Sequence, residues 1–186
     1  AGRTAEKTLA ELGICFLFAR NHHPAMARIQ PIRQRLGTRT IFNLMGPLSN
    51  PAGVKRQLIG IARPAYVPIY AEAKARLGSE RTLIVSGDEG LDELSLAGGN
   101  EVAGVQGHEW EMRRARASDA GLPTAPIEAI RGGDAVHNAK ALKALLMGAP
   151  GPYRDAVLFN AGAALMIARK AADYAGGAAL AAHAID

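Results

Sequence analysis

Two almost continuous apolar runs, separated by a segment with helical spacing, lie near the middle of the chain. Residues 57–62 are QLIGIA and residues 82–87 are TLIVSG, while AYVPIYAEAKARLG at residues 65–78 repeats its apolar positions with a helical period. Two buried strands joined by a helix predict a parallel β-α-β unit. The alternating segments NEVAGV at residues 100–105 and HEWEMRR at residues 108–114 predict a hairpin with one solvated face.

Helical patterns precede and follow this predicted sheet. Thr4 can cap a first helix, Asp134 can cap another, and two further helices are predicted from Pro152 onward. The helix after Asp134 is predicted to turn one apolar face to the core, formed by Ala135, Ala139, Leu142 and Leu146. These elements predict an α/β fold, with a mostly parallel sheet flanked by helices in a single domain over residues 1–186.

The composition is that of a soluble globular protein, with 48% hydrophobic and 21% charged residues. The sequence has no run of about 18 apolar residues to cross a membrane, and its first residues lack the apolar core of a signal peptide, so we expect a cytoplasmic protein. The single cysteine, Cys15, lies in an apolar segment and is expected to be a buried, reduced thiol. The net charge of +5 could attract nucleic acid or an anionic small substrate, and it does not choose between them.

Four carboxylates lie within six residues directly after the second apolar run: Asp88, Glu89, Asp92 and Glu93. Ligands collect at the carboxyl ends of parallel strands, which is where this segment is predicted to lie. The neighbours Asp92 and Glu93 offer two oxygen ligands of the kind that Mg²⁺ takes when a phosphorylated substrate supplies others. A solvated acidic turn accounts for the same residues equally well, so the pattern alone leaves both interpretations open.

A second group of polar residues lies in the segment HHPAMARIQPIRQRLGTRTIFNLMGPLSNP, residues 22–51. Pro31 suits the first turn of a short helix, and the bend there could turn the Arg33 guanidinium inward to bind a planar carboxylate. Arginines are more often exposed to solvent, however, and His23 more often caps a helix than binds a ligand. The sequence contains no zinc-type histidine pair, Ser-His-Asp set or glycine-rich phosphate loop of the known patterns.

Three strings in the sequence resemble one protein family. FLFARNHHPAMARIQPIRQRLGTRTIFNLMGPLSNPA, GDEGLDELS and IRGGDAVHNA closely resemble segments of the anthranilate phosphoribosyltransferases, and the resemblance extends over essentially the whole chain. It implies an α/β fold of the nucleoside phosphorylase and phosphoribosyltransferase type. It also implies transfer of the phosphoribosyl group of phosphoribosyl pyrophosphate to anthranilate, with Mg²⁺ as cofactor, in tryptophan biosynthesis. The products would be N-(5-phosphoribosyl)anthranilate and pyrophosphate.

The same resemblance implies roles for five residues. Arg33 matches the family's arginine that holds the anthranilate carboxylate, His23 matches a histidine lining the substrate channel, and Gly46 matches a position where the backbone approaches anthranilate. Asp92 and Glu93 match the acidic pair that binds magnesium near the pyrophosphate. No residue is assigned as a catalytic base, because the aniline-type nitrogen is already an unprotonated nucleophile at neutral pH and needs mainly to be positioned.

The resemblance further implies that part of the family's structure lies outside this sequence. The family's N-terminal helical domain and its first phosphate-binding strand and loop have no match in these 186 residues. We therefore expect the chain to be an incomplete α/β domain, the C-terminal part of the enzyme, and to be inactive by itself. The homodimer that the family forms does not carry over automatically to such a fragment.

Two other functions are compatible with this type of fold. The positive charge and the arginines suggest a nucleic-acid-binding relative without catalysis, but Arg33, Asp92 and Glu93 would serve no purpose in it. A relative of the pyrimidine nucleoside phosphorylases would share the architecture, yet it is not expected to carry NLMGPLSNP. The expected partners are thus anthranilate and phosphoribosyl pyrophosphate, and neither nucleic acid nor a membrane is expected.

Overall fold

The structure is a computed structural model that describes residues 2–17, 22, 32, 35–36, 44–50 and 52–186. Its internal contacts group the chain into two compact units, Ala1–Val54 and Lys55–Asp186. Each unit is compact by itself, and the expectation of a single domain over residues 1–186 stays a prediction. In the described part of the chain, no helix is both long enough and apolar enough to cross a membrane.

The first unit contains helix α1 (Gly2–Leu12) and a short 3-10 helix. Thr4 lies inside α1, so its predicted role as the cap is wrong, and its carbonyl accepts a hydrogen bond from the Thr8 hydroxyl at 3.1 Å. Gly13 follows the helix with a left-handed φ of 71°, a conformation in which a Cβ atom would be strained. Cys15 is a free thiol, but it is half-buried and not buried as predicted.

The second unit is built on a four-stranded sheet in the order β1-β2-β3-β4. Its strands and the helix between the first two are β1 (Arg56–Gly60), α2 (Val67–Arg76), β2 (Ser79–Gly87), β3 (Asn100–Gly107) and β4 (Glu109–Ala115). β1 and β2 are parallel and are joined through α2, so the predicted β-α-β unit is confirmed. β3 and β4 are antiparallel and are joined at His108, so the predicted hairpin is confirmed as well.

The α/β class is confirmed, but the predicted predominance of parallel pairing is wrong for these four strands. The β1–β2 pair is parallel, whereas the β2–β3 and β3–β4 pairs are antiparallel, so the sheet is mixed. The connections explain the difference, because a parallel pair needs a crossover such as α2, whereas short loops join antiparallel neighbours. His108 alone joins β3 to β4, and residues 88–99 between β2 and β3 contain no helix to carry the chain back to the other end of the sheet.

Three helices complete the second unit: α3 (Ala135–Leu146), α4 (Pro152–Ile167) and α5 (Tyr174–Ile185). Helix α4 packs against α5 and also contacts β1 and β2. Phe159 of α4 is fully buried, and its ring meets the Tyr174 ring edge to face with the centroids 5.4 Å apart. Because this contact removes two aromatic surfaces from water, it anchors α4 and α5 to each other. Short 3-10 helices occupy Pro64–Tyr66, Ala117–Ala120 and Ile127–Ile130.

Helix α3 begins as predicted, because the Asp134 carboxylate accepts a hydrogen bond from the His137 backbone N–H at 2.8 Å. Its predicted core face is wrong, since Leu142 is 47% exposed and Leu146 is 61% exposed, while Leu145 is buried. Leu145 lies about 60° around the helix from Leu142. A helical period identifies an apolar stripe, but the contacts of the folded chain decide which side of the helix is covered.

Candidate functional site

The acidic loop, residues 88–99, begins where β2 ends, at the carboxyl ends of the two parallel strands. Its first turn is tight: the Gly90 N–H donates to the Gly87 carbonyl at 2.9 Å, and the Gly87 N–H donates to the Leu91 carbonyl at 2.9 Å. Gly90 has a φ of 88°, which L-residues with a Cβ rarely adopt. The acidic residues therefore lie where the sequence pattern predicted them, directly beyond a strand's carboxyl end.

The backbone of the acidic loop lies directly against the end of β1. A Cβ atom placed on Gly60, the last residue of that strand, would lie 1.5 Å from the carbonyl oxygen of Asp92. Non-bonded heavy atoms prefer separations of about 3.5–4.0 Å, so any larger residue at this position would have to displace the loop. Gly60 thus determines how closely Asp92 approaches the sheet.

Two of the four carboxylates in the acidic loop have structural partners. Arg114 in β4 donates two hydrogen bonds to the Asp88 carboxylate, at 2.9 and 2.6 Å, and a third to Glu101 at 2.6 Å. The Glu89 carboxylate accepts a hydrogen bond from the Ser95 hydroxyl. Because a bidentate arginine holds a carboxylate in a defined orientation, Asp88 attaches the start of the loop to β4. Asp88 and Glu89 therefore have roles within the fold.

Asp92 and Glu93, the acidic pair, are both exposed, and neither forms an ion pair with the residues that the structure describes. The pKa of Glu93 is raised above the ordinary glutamate value. Partial desolvation of its carboxyl group is the larger cause, and the negative charge of Asp92 is the smaller one. Glu93 lines an open cavity of about 380 Å³ together with Leu91, Ile130 and Val157, and these apolar neighbours account for the desolvation. The acidic pair thus combines two like charges with no neighbouring cation among the described side chains.

The acidic pair fits a magnesium ion that arrives with a phosphorylated substrate. Among the residues with described positions, no group of three or more His, Cys, Asp and Glu side chains could hold a metal ion. Mg²⁺ prefers oxygen ligands, keeps several waters and commonly binds one or two carboxylates together with substrate phosphates. Asp92 and Glu93, which are adjacent in sequence, would supply two such carboxylates, and a bound cation would offset both the desolvation of Glu93, the larger cause of its raised pKa, and the smaller repulsion from Asp92.

We expect Glu93→Gln to increase the thermal stability of the metal-free protein near pH 7. A carboxyl group whose pKa is raised by folding contributes stability below its unfolded-state value, 4.5 here, and loses that contribution as the pH rises through its folded-state pKa. Glutamine carries no charge to desolvate, so the gain in melting temperature should be present near pH 7 and shrink toward pH 4. Thermal unfolding over this range tests it, with Glu109→Gln on exposed β4 as the control. An equal gain in melting temperature at all pH values would show that the charge of Glu93 is not its cause.

The three residues predicted to bind the acceptor belong to the first part of the chain. His23 and Arg33 lie outside the described residues. Gly46 begins the 3-10 helix Gly46–Leu48 and is exposed, and a Cβ atom placed on it would meet no described atom within 4 Å. Of the five predicted site residues, the structure places Asp92 and Glu93 side by side, and the roles of all five stay predictions.

Four residues that shape the acidic loop were not identified from the sequence: Gly60, Asn100, Arg114 and Asn160. The Asn100 side chain is fully buried, accepts a hydrogen bond from the Ser95 N–H at 2.7 Å and donates one to the Ser95 carbonyl at 3.1 Å. Gly60 did have a signal, because an isolated glycine in an apolar strand often marks a close backbone contact. No sequence pattern pointed to Arg114 or Asn160, because their partners in the loop lie 26 and 66 residues away along the chain.

Comparison with known proteins identifies the family. Residues 2–186 match the model of a glycosyl transferase family, described as its a/b domain. An anthranilate phosphoribosyltransferase from Erythrobacter litoralis is 78% identical over 185 residues, which cover 100% of this chain and 56% of that protein. The crystal structure of the anthranilate phosphoribosyltransferase from Thermus thermophilus matches with a TM-score of 0.88 and 42% identity, covering 97% of this chain and 54% of that one.

Two structures of the anthranilate phosphoribosyltransferase from Saccharomyces cerevisiae are similar as well, each at 27% identity. The complex with 4-fluoroanthranilate has a TM-score of 0.90 and the complex with phosphoribosyl pyrophosphate and Mg has one of 0.89, both covering 98% of this chain and 53% of the other. The chain spans about half the length of these relatives, and the resemblance predicted from the three sequence strings is confirmed. With 185 of its residues matched by the family model, the chain belongs to the glycosyl transferase family through its α/β domain.

Proposed function

We propose that this chain forms part of an anthranilate phosphoribosyltransferase. The enzyme would transfer the phosphoribosyl group of phosphoribosyl pyrophosphate to the amino group of anthranilate, giving N-(5-phosphoribosyl)anthranilate and pyrophosphate in tryptophan biosynthesis. The observation that carries the proposal is the acidic pair: Asp92 and Glu93 are exposed beyond the carboxyl end of β2 and lack an ion-pair partner among the described side chains. The 78% identity to a protein of this name supports the choice of substrates.

The acidic pair would serve the phosphate donor. Breaking the bond between ribose and pyrophosphate develops positive charge on the sugar and negative charge on the leaving group. Magnesium, when bound, supplies the electrostatic stabilisation of the leaving pyrophosphate. Asp92 and Glu93 would hold the ion, and the Asp88–Arg114 pair would keep the start of the loop attached to β4. The yeast relative whose structure contains phosphoribosyl pyrophosphate and Mg supports this assignment.

Arg33, His23 and Gly46 would serve the acceptor. A guanidinium can donate two parallel hydrogen bonds to the anthranilate carboxylate, which would fix the direction in which the amino group points. His23 would line the channel, and Gly46, which carries no side chain, would let anthranilate approach its backbone closely. No base is required in this scheme, because the amino group attacks as a neutral nucleophile. The yeast relative in complex with 4-fluoroanthranilate supports an acceptor of this chemical class.

The 186 residues of this chain would be inactive by themselves. The phosphate-binding loop and the N-terminal helical domain expected from the family have no counterpart in the sequence, and the relatives are nearly twice as long. The longer protein would be a cytoplasmic homodimer, as the family resemblance implies. Nucleic acid is not part of the proposed function, because neither the acidic pair nor a carboxylate-binding arginine would assist DNA binding.

Anthranilate fluorescence provides the test of the proposed function. The full-length protein should consume anthranilate when both phosphoribosyl pyrophosphate and Mg²⁺ are present. Anthranilate consumption should cease when either is withheld. Persistent fluorescence with the folded protein and both additions would contradict the proposal. Salt-sensitive binding to DNA in that case would favour the nucleic-acid-binding relative, and phosphorolysis of thymidine would favour a nucleoside phosphorylase.

Replacing Arg33 with alanine is expected to raise the KM for anthranilate about 10- to 100-fold, the loss expected for hydrogen bonds to a charged group. The KM for phosphoribosyl pyrophosphate should change far less, because Arg33 is assigned to the acceptor. Steady-state kinetics with each substrate varied in turn measures both constants. Arg35→Ala is the matched control, since Arg35 is an exposed arginine two residues away. An unchanged anthranilate KM in the Arg33 variant would reject the assignment.

A further inference from the structure

The side chain of Asn160 joins helix α4 to the acidic loop through a pair of hydrogen bonds with one backbone residue. The Leu94 N–H donates to Asn160 Oδ1 at 2.9 Å, and Asn160 Nδ2 donates to the Leu94 carbonyl at 2.9 Å. The second hydrogen of Nδ2 is directed to the Ala156 carbonyl, one turn earlier in α4, at 3.0 Å. Two donors and the acceptor of the half-buried amide are therefore all used, which fixes the direction of the side chain.

Leu94 follows the acidic pair directly, so holding the backbone of Leu94 also restrains the carboxyl end of Glu93. Its side chain is fully buried in the core, while Asp92 and Glu93 point from the same stretch of backbone into exposed positions. Asn160 and Glu93 also line the same cavity of about 380 Å³. The amide of Asn160 thus holds the backbone at the boundary between the core and the exposed acidic pair.

Three different elements hold consecutive parts of this loop. Gly60 in β1 lies against the backbone of Asp92, Asn160 in α4 pairs with Leu94, and Asn100 in β3 pairs with Ser95. Two adjacent carboxylates without a cation repel each other, and an unrestrained loop would relax by moving them apart. The contacts with β1, α4 and β3 oppose that movement, because each fixes the backbone rather than a flexible side chain.

We propose that Asn160 is a positioning residue that holds the acidic pair in the arrangement needed to bind magnesium together with the phosphate donor. This inference rests on the proposed function, because it assumes that Asp92 and Glu93 are the magnesium ligands. Groups that orient metal ligands without touching the metal commonly change metal affinity by about 10- to 100-fold when they are removed. Asn160 acts in this way through the backbone of Leu94, which it holds from α4.

The test compares Asn160→Ala with Asn138→Ala in the full-length protein. Asn138 is a matched control, because its amide forms the same two hydrogen bonds with the backbone of Gly133, at 2.8 and 3.1 Å, outside the acidic loop. We expect the Mg²⁺ concentration for half-maximal activity to rise about tenfold or more in Asn160→Ala and less than about twofold in Asn138→Ala. The KM for anthranilate should be unchanged in both variants. An unchanged Mg²⁺ dependence in a folded, active Asn160→Ala would overturn the proposal.

Hydrogen exchange supplies a readout that needs no activity. In the metal-free protein, the amide of Leu94 and the peptide covering residues 88–99 should exchange about tenfold faster in Asn160→Ala than in Asn138→Ala. Equal exchange in this peptide would overturn the positioning role even if activity fell. If Asn160→Ala does not fold, Asn160→Ser, whose hydroxyl is too short to form both bonds with Leu94, gives the same two comparisons. If exchange is faster in Asn160→Ala but the parent protein never consumes anthranilate, the contact between Asn160 and the acidic loop is supported. The proposed function is then rejected instead.

Discussion

Replacing Gly60 with alanine is expected to displace the acidic loop and to lower activity about 100-fold or more. The new Cβ atom would lie 1.5 Å from the Asp92 carbonyl oxygen, so the loop must move by about 2 Å to restore a normal contact. A displacement of about 1 Å at a reacting centre can cost 100-fold in rate, and overpacking a closed contact typically costs about 1–3 kcal/mol of stability. Steady-state kinetics and chemical denaturation of the full-length variant measure the two losses.

Gly104→Ala is the control for this substitution. Gly104 is also a glycine inside a strand of the same sheet, but a Cβ atom placed there would meet only the Leu83 Cδ2 atom at 3.9 Å, an ordinary contact. Activity of the Gly104 variant should stay within about twofold of the parent protein, because a Cβ atom at this position creates no clash and Gly104 lies outside the acidic loop. If both alanine variants lost activity equally, the close contact between β1 and Asp92 would not be the cause.

Asp92→Asn is expected to reduce kcat/KM for phosphoribosyl pyrophosphate about 100-fold or more at a fixed, moderate Mg²⁺ concentration. The amide retains one oxygen but loses the negative charge that attracts the ion, so stabilisation of the leaving pyrophosphate should weaken. Higher Mg²⁺ should restore part of the activity, because the defect lies in binding the ion. The rate is measured from anthranilate fluorescence across a Mg²⁺ titration.

Glu109→Gln controls for a general effect of removing one negative charge, since Glu109 is exposed on β4 and outside the acidic loop. It should leave the Mg²⁺ titration unchanged. Glu93→Gln should show the same kinetic defect as Asp92→Asn while increasing the stability of the metal-free protein, because its charge is the one that folding disfavours. Full activity of Asp92→Asn at low Mg²⁺ would show that the acidic pair does not bind the ion.

Several elements of the fold were predictable because their signals are local. The apolar runs of β1 and β2 and the alternating pattern of β3 and β4 depend on residues only a few positions apart, and all four strands are present. The cap of α3 was predictable for the same reason, because Asp134 and the N–H of His137 are three residues apart. The exposed apolar face of α3 was not predictable, because burial depends on what packs beside a helix.

In the candidate site, too, local features were predictable and long-range contacts were not. Adjacency in sequence is enough to place Asp92 and Glu93 side by side after a strand, and the family resemblance suggested their role. The Asp88 carboxylate accepts hydrogen bonds from Arg114 and Glu89 accepts one from Ser95, whereas no described side chain pairs with the acidic pair. The sequence could not show this difference for Asp88, because Arg114 is 26 residues away along the chain. All four residues carry the same functional group and lie close together in the sequence. Only their contacts in the folded chain distinguish the two structural carboxylates from the acidic pair.

The sequence by itself determined the strands, the β-α-β unit, the hairpin and the position of the acidic pair, since each follows from neighbouring residues and backbone geometry. The tertiary structure alone decided that the sheet is mixed, which side of α3 is buried, and that Gly60 and Asn160 hold the acidic loop. These features depend on contacts between residues far apart in the chain, such as the 66 positions between Leu94 and Asn160. A hydrophobic period or a cap carries no information about such a partner.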